Sequence, residues 1–244
     1  MLKSLKQDIR EMLVELREYG DLLWLMTRRD IVIRYRKAVL GFAWAVFTPV
    51  VNLVVFTIVF DRVAKIETDV PYPVFAYSGL LPWQLFATSL KTAINSLVTN
   101  KSLVTKVYCP RELFPFSSIL VALVDFFVAA SILVGLMVYY QVPLRTTALF
   151  VPIILIVQVM FTTGLSLMLS VLNLYYRDVK YIFEVVLSLW MFATPVVYPV
   201  SEIGGLTGML IHANPMTPII DGYRAVLVRG EMPERLENTD PAEA

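Results

Sequence analysis

The chain has 244 residues, of which 57% are hydrophobic and 17% are charged, and its formal net charge is +1. Soluble globular chains average about 45–50% apolar and about 25% charged residues. The composition, with its long charge-free apolar runs, therefore excludes a soluble enzyme, a disulfide scaffold and a disordered chain. The balanced charge gives no reason to expect a nucleic-acid partner. Cys109 and His212 are the single cysteine and the single histidine, which excludes an internal disulfide and argues against a histidine-based metal site.

Residues 1–37 mix basic and acidic side chains and lack the continuous apolar run of a signal peptide. Trp24, Arg28 and Arg29, just before an apolar interval, favour a helix in the membrane interface or docked on a partner over a coiled coil. Gly20 is expected to divide this segment into two pieces. Apolar residues recur at spacings of three and four, which predicts one amphipathic stripe: Leu2, Leu5, Ile9, Met12, Leu16, Tyr19, Leu23 and Met26.

Five apolar intervals follow, and each is a transmembrane candidate because about 20 residues cross the hydrocarbon core. We predict an all-α membrane protein, a polytopic helical bundle with spans at about 38–60, 74–98, 114–140, 149–172 and 181–200. Prolines inside these intervals mark kinks. Placing the N-terminus in the cytoplasm puts most of the Lys and Arg residues of the connecting segments on the inner side, which predicts that orientation.

The segment after the fifth interval is different in character. Residues 201–230 contain two short apolar pieces, 206–211 and 218–228, and neither is long enough to cross a bilayer. We expect short re-entrant or interfacial helices folded back against the bundle. Residues 231–244 form an acidic tail that is expected to be solvated.

No catalytic constellation is present: the sequence has no phosphate-binding Gly-Lys loop, no dinucleotide-binding glycine motif and no Cys/His cluster. Uphill transport would then draw its energy from an ion gradient or from a separate ATPase. Asp125 is the only carboxylate deep in a span, and Lys91 and Asn95 on the preceding span enter from the same side. A structural Lys91–Asp125 pair, or an Asn95–Asp125 hydrogen bond, is favoured over a proton relay.

Aromatic residues are concentrated in the first and fifth intervals. Near the ends of spans such residues usually anchor the chain at the membrane interface. Facing a pore, they would suit sugar rings, whose C–H faces pack on aromatic rings. The ring positions alone leave both interpretations open.

Five segments, in order and in register, resemble the membrane subunits of type-2 ABC exporters for lipid-linked polysaccharide, which handle O-antigen, capsule and teichoic acid. The resemblance covers about residues 20–230, and its specificity comes from the five segments together. They are RDIVIRYRKAVLGFAWAVFTPVVNLVVFTIVF (29–60), VPYPVFAYSGLLPWQLFATSL (70–90), NKSLVTKVYCPRELFPFSSILVALVDF (100–126), NLYYRDVKYIFEVVLSLWMFATPVVYP (173–199) and NPMTPIIDGYRAVLVRG (214–230).

The resemblance implies a channel-forming permease that exports undecaprenyl-linked polysaccharide across the bacterial cytoplasmic membrane. It implies a homodimer in membrane lipid with the pore between subunits, and two copies of a separate ATP-binding subunit. That partner would bind ATP and Mg, so this chain would hold no cofactor and no metal. The family has six spans per subunit, and with five visible here the chain is expected to end before a sixth.

The resemblance also implies roles for particular residues. The pieces within 201–230 would be outward gate helices. A structural polar group inside the membrane is expected at Lys91, Asn95 and Asp125. The cytoplasmic gate helix would carry Arg28, Arg29, Arg34 and Arg36. Coupling to the ATPase would involve Lys101, Lys106, Arg111, Glu112, Arg177 and Asp178. The substrate channel would be lined by Phe42, Trp44, Phe47, Phe56, Trp190, Phe192 and Tyr198.

Three other functions compete with polysaccharide export. A type-2 ABC permease for drugs or lipids would share the architecture without needing a wide aromatic channel. An ion-coupled secondary carrier would need a deep ionisable relay and commonly shows internal repeats, and both signals are weak here. A scaffold in a glycan-assembly complex would transport nothing.

Overall fold

The computed structural model describes residues 14, 17–36, 43–59, 70–106, 109–198, 211 and 213–231. Among these residues the regular structure is helical, with no strand, which confirms the predicted all-α class for this part of the chain. A 3₁₀ turn, Thr146–Phe150, leads into α6, and a π-helical turn, Ala225–Arg229, extends α8. The helices are α1 (Gly20–Arg36), α2 (Trp44–Phe56), α3 (Tyr72–Thr99), α4 (Lys101–Lys106), α5 (Leu113–Tyr139), α6 (Val151–Tyr175), α7 (Val179–Ala193) and α8 (Met216–Arg224).

Helix α3 is the centre of the bundle and packs against α2, α5, α6, α7 and α8. Phe86, Leu90 and Ala93 on this helix have no exposed surface. A helix buried on most of its faces belongs to a core rather than to a surface. The other helices are therefore positioned by their contacts with α3.

By length and composition, two described segments can cross a bilayer, Leu113–Tyr139 and Thr146–Tyr175, and Val46–Val59 is a shorter apolar helix. Helix α3 has 28 residues and is about 42 Å long, so it is also long enough. Polar residues along one side of α3 lower its hydropathy below that of the two most apolar segments.

The fifth predicted interval, 181–200, differs from the structure. Helix α7 ends at Ala193, and Thr194 is extended, with φ −109° and ψ 135°. Pro195 explains this end, because a proline disfavours the helical conformation in the residue before it. Residues 194–197 turn into the bundle and are buried. The prediction of a continuous span to residue 200 is wrong.

Hydrogen bonds between helices identify which helix ends lie together. Asn173 Nδ2 on α6 donates to the Ile94 carbonyl on α3 at 2.9 Å. Arg29 Nη2 on α1 donates to Asn100 Oδ1 at 2.9 Å. Helix α1, the end of α3 and the turn between α6 and α7 therefore share one end of the bundle, which we call the Asn100 end.

The opposite end is also fixed by side-chain bonds. The Tyr72 hydroxyl donates to the Val197 carbonyl at 2.9 Å. Thr147 Oγ1 donates to the Val226 carbonyl at 2.8 Å. The start of α3, the turn after α7 and the end of α8 meet here, and we call this the Tyr72 end.

Helix α1 begins at Gly20, after a turn at Tyr19, which is where the sequence predicts a break. It packs against α5, with Met26 in a small cluster with Leu97 and Phe114. Its opposite face exposes Trp24, Leu25, Val32 and Ile33. An apolar exposed face beside a bundle is what a helix in the membrane interface presents.

Candidate functional site

A cavity of about 760 Å³ lies between α1, α2, α3 and α5. Its size falls within the range of small-molecule pockets, about 300–1,000 Å³. The wall mixes aromatic, polar and charged side chains. The lining includes Arg34, Tyr35, Trp44, Thr48, Asn52, Phe56, Trp83, Gln84, Thr88, Lys91, Asp125 and Phe126.

Helix α2 presents one row of residues to this cavity. Trp44, Thr48, Asn52 and Phe56 follow at intervals of four, and residues with this spacing share a helix face. The row has aromatic rings at its two ends and polar groups between them. It can therefore accept hydrogen bonds and cover an apolar ring at the same time.

Helix α3 presents a second row, which we call the polar stripe: Gln84, Thr88 and Lys91. The spacings of four and three place these residues on one face of the helix. Trp83 lines the cavity beside the stripe. The cavity is thus bounded by polar groups on two helices.

Helices α1 and α5 together form the charged end of the cavity, where Arg34 and Tyr35 of α1 contact Asp125 of α5. The Arg34 guanidinium forms an ion pair with Asp125 Oδ2, and the Tyr35 hydroxyl donates to Asp125 Oδ1. Burial and the neighbouring Asp125 carboxylate raise the pKa of Tyr35 to about 12. At physiological pH this hydroxyl stays protonated and remains a donor.

The predicted partners of Asp125 were wrong. Among the described residues no ion pair joins Lys91 to Asp125, and Asn95 Nδ2 donates to the Lys91 carbonyl at 3.3 Å. The physical reason is that α1 lies along α5 and delivers a guanidinium, which matches a carboxylate better than an ammonium does. The expectation that Asp125 ties two helices together fits this contact, with α1 as the second helix.

The predicted channel aromatics occupy different places. Trp44 and Phe56 line the cavity, and Phe47 packs edge-on against Trp44 with ring centroids 5.3 Å apart. Phe42 lies outside the described residues. Phe192 is 67% exposed on α7. Tyr198 donates its hydroxyl to the Phe192 carbonyl at 2.8 Å.

Trp190 belongs to a hydrogen-bond network at the junction of α7 and α8. Its indole Nε1 donates to Asn214 Oδ1 at 2.8 Å, and its ring packs edge-on against Phe86. Asn214 Nδ2 in turn donates to Thr194 Oγ1 at 2.7 Å. The indole N–H is therefore bonded within the subunit, and Trp190 does not line the cavity.

Sequence reasoning missed Trp83, Gln84 and Thr88 on α3 and the Thr48–Asn52 pair on α2. A usable signal existed in both helices, because polar residues recur there at helical spacing within otherwise apolar intervals. The concentration of aromatic residues in the first and fifth intervals is a more conspicuous pattern than this spacing of polar residues.

Arg224 was also missed. It is 4% exposed, and its Nη1 donates to the Pro195 carbonyl at 2.7 Å while its Nη2 donates to the Val196 carbonyl. Its guanidinium lies 3.9 Å from the centroid of the Phe75 ring. Gly79 leaves the space that the guanidinium fills. We call these contacts the Arg224 latch, and they close the Tyr72 end.

A sequence model of the ABC-2 type transporter family matches residues 21–228, which is most of the chain. The chain belongs to the ABC-2 type transporter family. It is therefore an integral membrane protein and a transport subunit that works with an ATP-binding subunit. This confirms the resemblance noted in the sequence.

Curated relatives of this ABC-2 subunit include two named O-antigen export system permease protein RfbA. The one from Myxococcus xanthus is 32% identical over 90% of this chain and 85% of the relative. One from Klebsiella pneumoniae is 30% identical over 87% of this chain and 82% of the relative. The polysialic acid transport protein KpsM from Escherichia coli is 23% identical over 84% and 81%.

The residues predicted to couple this ABC-2 subunit to an ATPase lie at the Asn100 end. Exposed members are Lys101 and Lys106 on α4 and Arg111 before α5, and Glu112 is partly exposed. Arg177 and Asp178 are exposed in the turn before α7. The segment from α4 to the start of α5 and the turn before α7 thus both lie at the Asn100 end. Binding to a single partner surface requires this arrangement.

The arginines predicted for a cytoplasmic gate helix divide into three groups. Arg34 lines the cavity. Arg29 binds Asp30 at 2.8 Å as well as Asn100. Arg28 and Arg36 are exposed. Only Arg34 is thus placed to affect what enters the cavity.

Proposed function

We propose that this chain is the channel-forming permease subunit of an ATP-driven ABC exporter that moves lipid-linked, O-antigen-like polysaccharide across the bacterial inner membrane. The observation that carries the proposal is the cavity, which α2 and α3 line with both polar side chains and aromatic rings. Sugars need both kinds of contact, since they carry hydroxyl groups on an apolar ring. The names of the O-antigen export relatives add support for this substrate class.

The orientation that fits best has the N-terminus and the Asn100 end in the cytoplasm. The basic residues of α1, α4 and the loop before α5 lie at that end, as the excess of positive charge on the cytoplasmic side requires. Two copies of the ATP-binding subunit, which would hold ATP and Mg, dock there on the exposed charges of the two loops. Helix α8 then lies at the outer end as part of an outward gate.

A homodimer with the pore between subunits fits the exposed surface of α7 and α2. The exposed apolar residues of α7 recur along one side of the helix, and four exposed apolar residues in and just after α2 lie outside the cavity. They are Tyr181, Ile182, Val185, Leu189 and Phe192 on α7, Val51, Val54 and Val55 on α2, and Ile58 just after α2. Between subunits, these surfaces and the cavities would form one continuous path.

An ion-coupled carrier is less consistent with the site. A proton relay needs a carboxylate that gains and loses a proton within the membrane. Asp125 is instead bound by the guanidinium of Arg34 and the hydroxyl of Tyr35, so its two oxygens already have partners within the subunit. Asp125 is therefore suited to holding α1 against α5.

The proposal is tested by deleting the gene for this chain and assaying lipid-linked glycan by membrane side. Accumulation of polymer on the inner leaflet, reversed by the intact gene, is the expected result. A matched strain lacking the ATP-binding subunit should show the same accumulation. Normal surface polysaccharide with altered drug sensitivity would instead favour a drug or lipid permease.

A further inference from the structure

We propose that Lys91 on the polar stripe binds a phosphate group that is joined to a sugar. The inference rests on the proposed function and names the part of the substrate that the cavity holds. The phosphate would be the one linking a glycan to its lipid carrier. Lys91 would bind its oxygens while the aromatic rings of the cavity cover the adjoining sugar.

The charges in the cavity lining call for an anion. Among the described residues that line the cavity, Arg34, Lys91 and Asp125 are charged, and together they carry a net charge of +1. Arg34 and Asp125 neutralise one another in an ion pair. No carboxylate of the described residues lies within ion-pair distance of Lys91. Lys91 is exposed and lines the cavity, so its ammonium group is available to an anionic ligand.

The neighbours of Lys91 suit phosphate oxygens. Gln84 and Thr88 follow on the same face of α3, and Thr48 and Asn52 line the same cavity from α2. These amides and hydroxyls are neutral donors that can share the several oxygens of a phosphate. Lysine acts as a point charge toward phosphate and needs no fixed geometry, which suits a group that must later leave.

The aromatic residues argue for a sugar beside the phosphate. Trp44 and Trp83 line the cavity together with Phe56. A volume of about 760 Å³ accommodates a ligand of drug-like size. The cavity can therefore hold one end of a polysaccharide, but not the whole polymer. A phospholipid headgroup also carries phosphate, but it would leave the indole rings without a sugar to contact.

Binding is measured on the full-length permease purified with its ATP-binding subunit, by thermophoresis in detergent. The probes are farnesyl-phosphate-linked glucose, the neutral farnesyl glucoside, dioctanoyl phosphatidylglycerol and inorganic phosphate. The variants are Lys91→Gln, Lys91→Arg and, as a matched control outside the cavity, Lys180→Gln. Melting temperature and co-elution with the partner show whether each variant is folded.

Wild type should bind the phosphorylated glucoside at least about tenfold more tightly than the neutral one. Lys91→Gln should remove that difference and leave the affinity for the neutral glucoside unchanged. Lys91→Arg should retain it, and Lys180→Gln should match wild type. The comparison between the two glucosides in wild type needs no variant, so it tests the proposal even if Lys91→Gln fails to fold.

Equal affinities of wild type for the two glucosides would overturn the proposal, as would unchanged binding by Lys91→Gln. Equal or tighter binding of phosphatidylglycerol or inorganic phosphate, with the same dependence on Lys91, would assign the site to those sources and overturn it too. If wild type exports polymer in any of these cases, the proposed function stands and only the phosphate site fails. If wild type neither binds a glucoside nor exports, the proposed function itself fails.

Discussion

The Arg224 latch makes Gly79→Ala the most informative single substitution in this chain. A Cβ atom at residue 79 would lie 2.5 Å from the Val196 carbonyl oxygen and 2.7 Å from Arg224 Nη2. Both distances are shorter than a carbon atom tolerates, so the backbone turn after α7 or the guanidinium must move. The substitution therefore tests whether the Tyr72 end is packed as the structure shows.

The magnitude follows from two opposing effects. Alanine is favoured over glycine inside a helix by about 0.8–1.0 kcal/mol. Overpacking a filled site costs about 1–3 kcal/mol, and displacing buried guanidinium hydrogen bonds costs about 1.5–3 kcal/mol more. Gly79→Ala is thus expected to destabilise the protein by roughly 3 kcal/mol. That corresponds to a melting temperature lower by about 6–12 °C.

The assay is the thermal unfolding midpoint of the purified complex, at one scan rate, by intrinsic fluorescence. Gly164→Ala and Gly135→Ala are matched controls, because a Cβ atom at either of these helical glycines would meet nothing within 4 Å beyond the backbone of its own helix. They should leave the midpoint unchanged or raise it by about 2–4 °C. A Gly79→Ala midpoint equal to that of the controls would refute the packing of Arg224 against α3.

Three further predictions concern the cavity and the α7–α8 junction. Asp125→Asn deprives Arg34 of its carboxylate and should cost about 1.5–3 kcal/mol, seen as a lower yield of assembled permease; an unchanged yield would contradict the structural role of the pair. Trp190→Phe removes the hydrogen bond to Asn214, so the midpoint should fall by about 2–4 °C, and a midpoint equal to wild type would show that the bond contributes nothing. Trp44→Ala should reduce surface polysaccharide at an unchanged protein level, whereas full export would remove Trp44 from the substrate path.

The helices could be predicted well where apolar runs are long and uninterrupted. Helices α5 and α6 begin and end within a few residues of the predicted intervals, because charged or turn-forming residues flank the apolar runs on both sides. The end of α7 was predicted too late. Pro195 was interpreted as a kink within a span, whereas its steric effect on Thr194 ends the helix there.

Contacts between distant segments could not be predicted from spacing. The pairing of Asp125 with Arg34 depends on how α1 lies along α5, and the sequence carries no record of that packing. Arg224 lies in the segment 201–230, for which the sequence predicts short re-entrant or interfacial helices folded back against the bundle, but no pattern in the sequence singles this arginine out. Its burial depends on carbonyl groups of the turn after α7 that point into the bundle.

The most direct test of the central claim is transport in proteoliposomes that contain this permease and its ATP-binding subunit. Lipid-linked polysaccharide is placed in the bilayer, and the fraction accessible on the far leaflet is measured with a glycan-specific lectin. The account predicts that this fraction rises only with ATP and Mg and only when both subunits are present. ATP hydrolysis without any movement of the glycan, or movement that follows an imposed proton gradient instead of ATP, would contradict it.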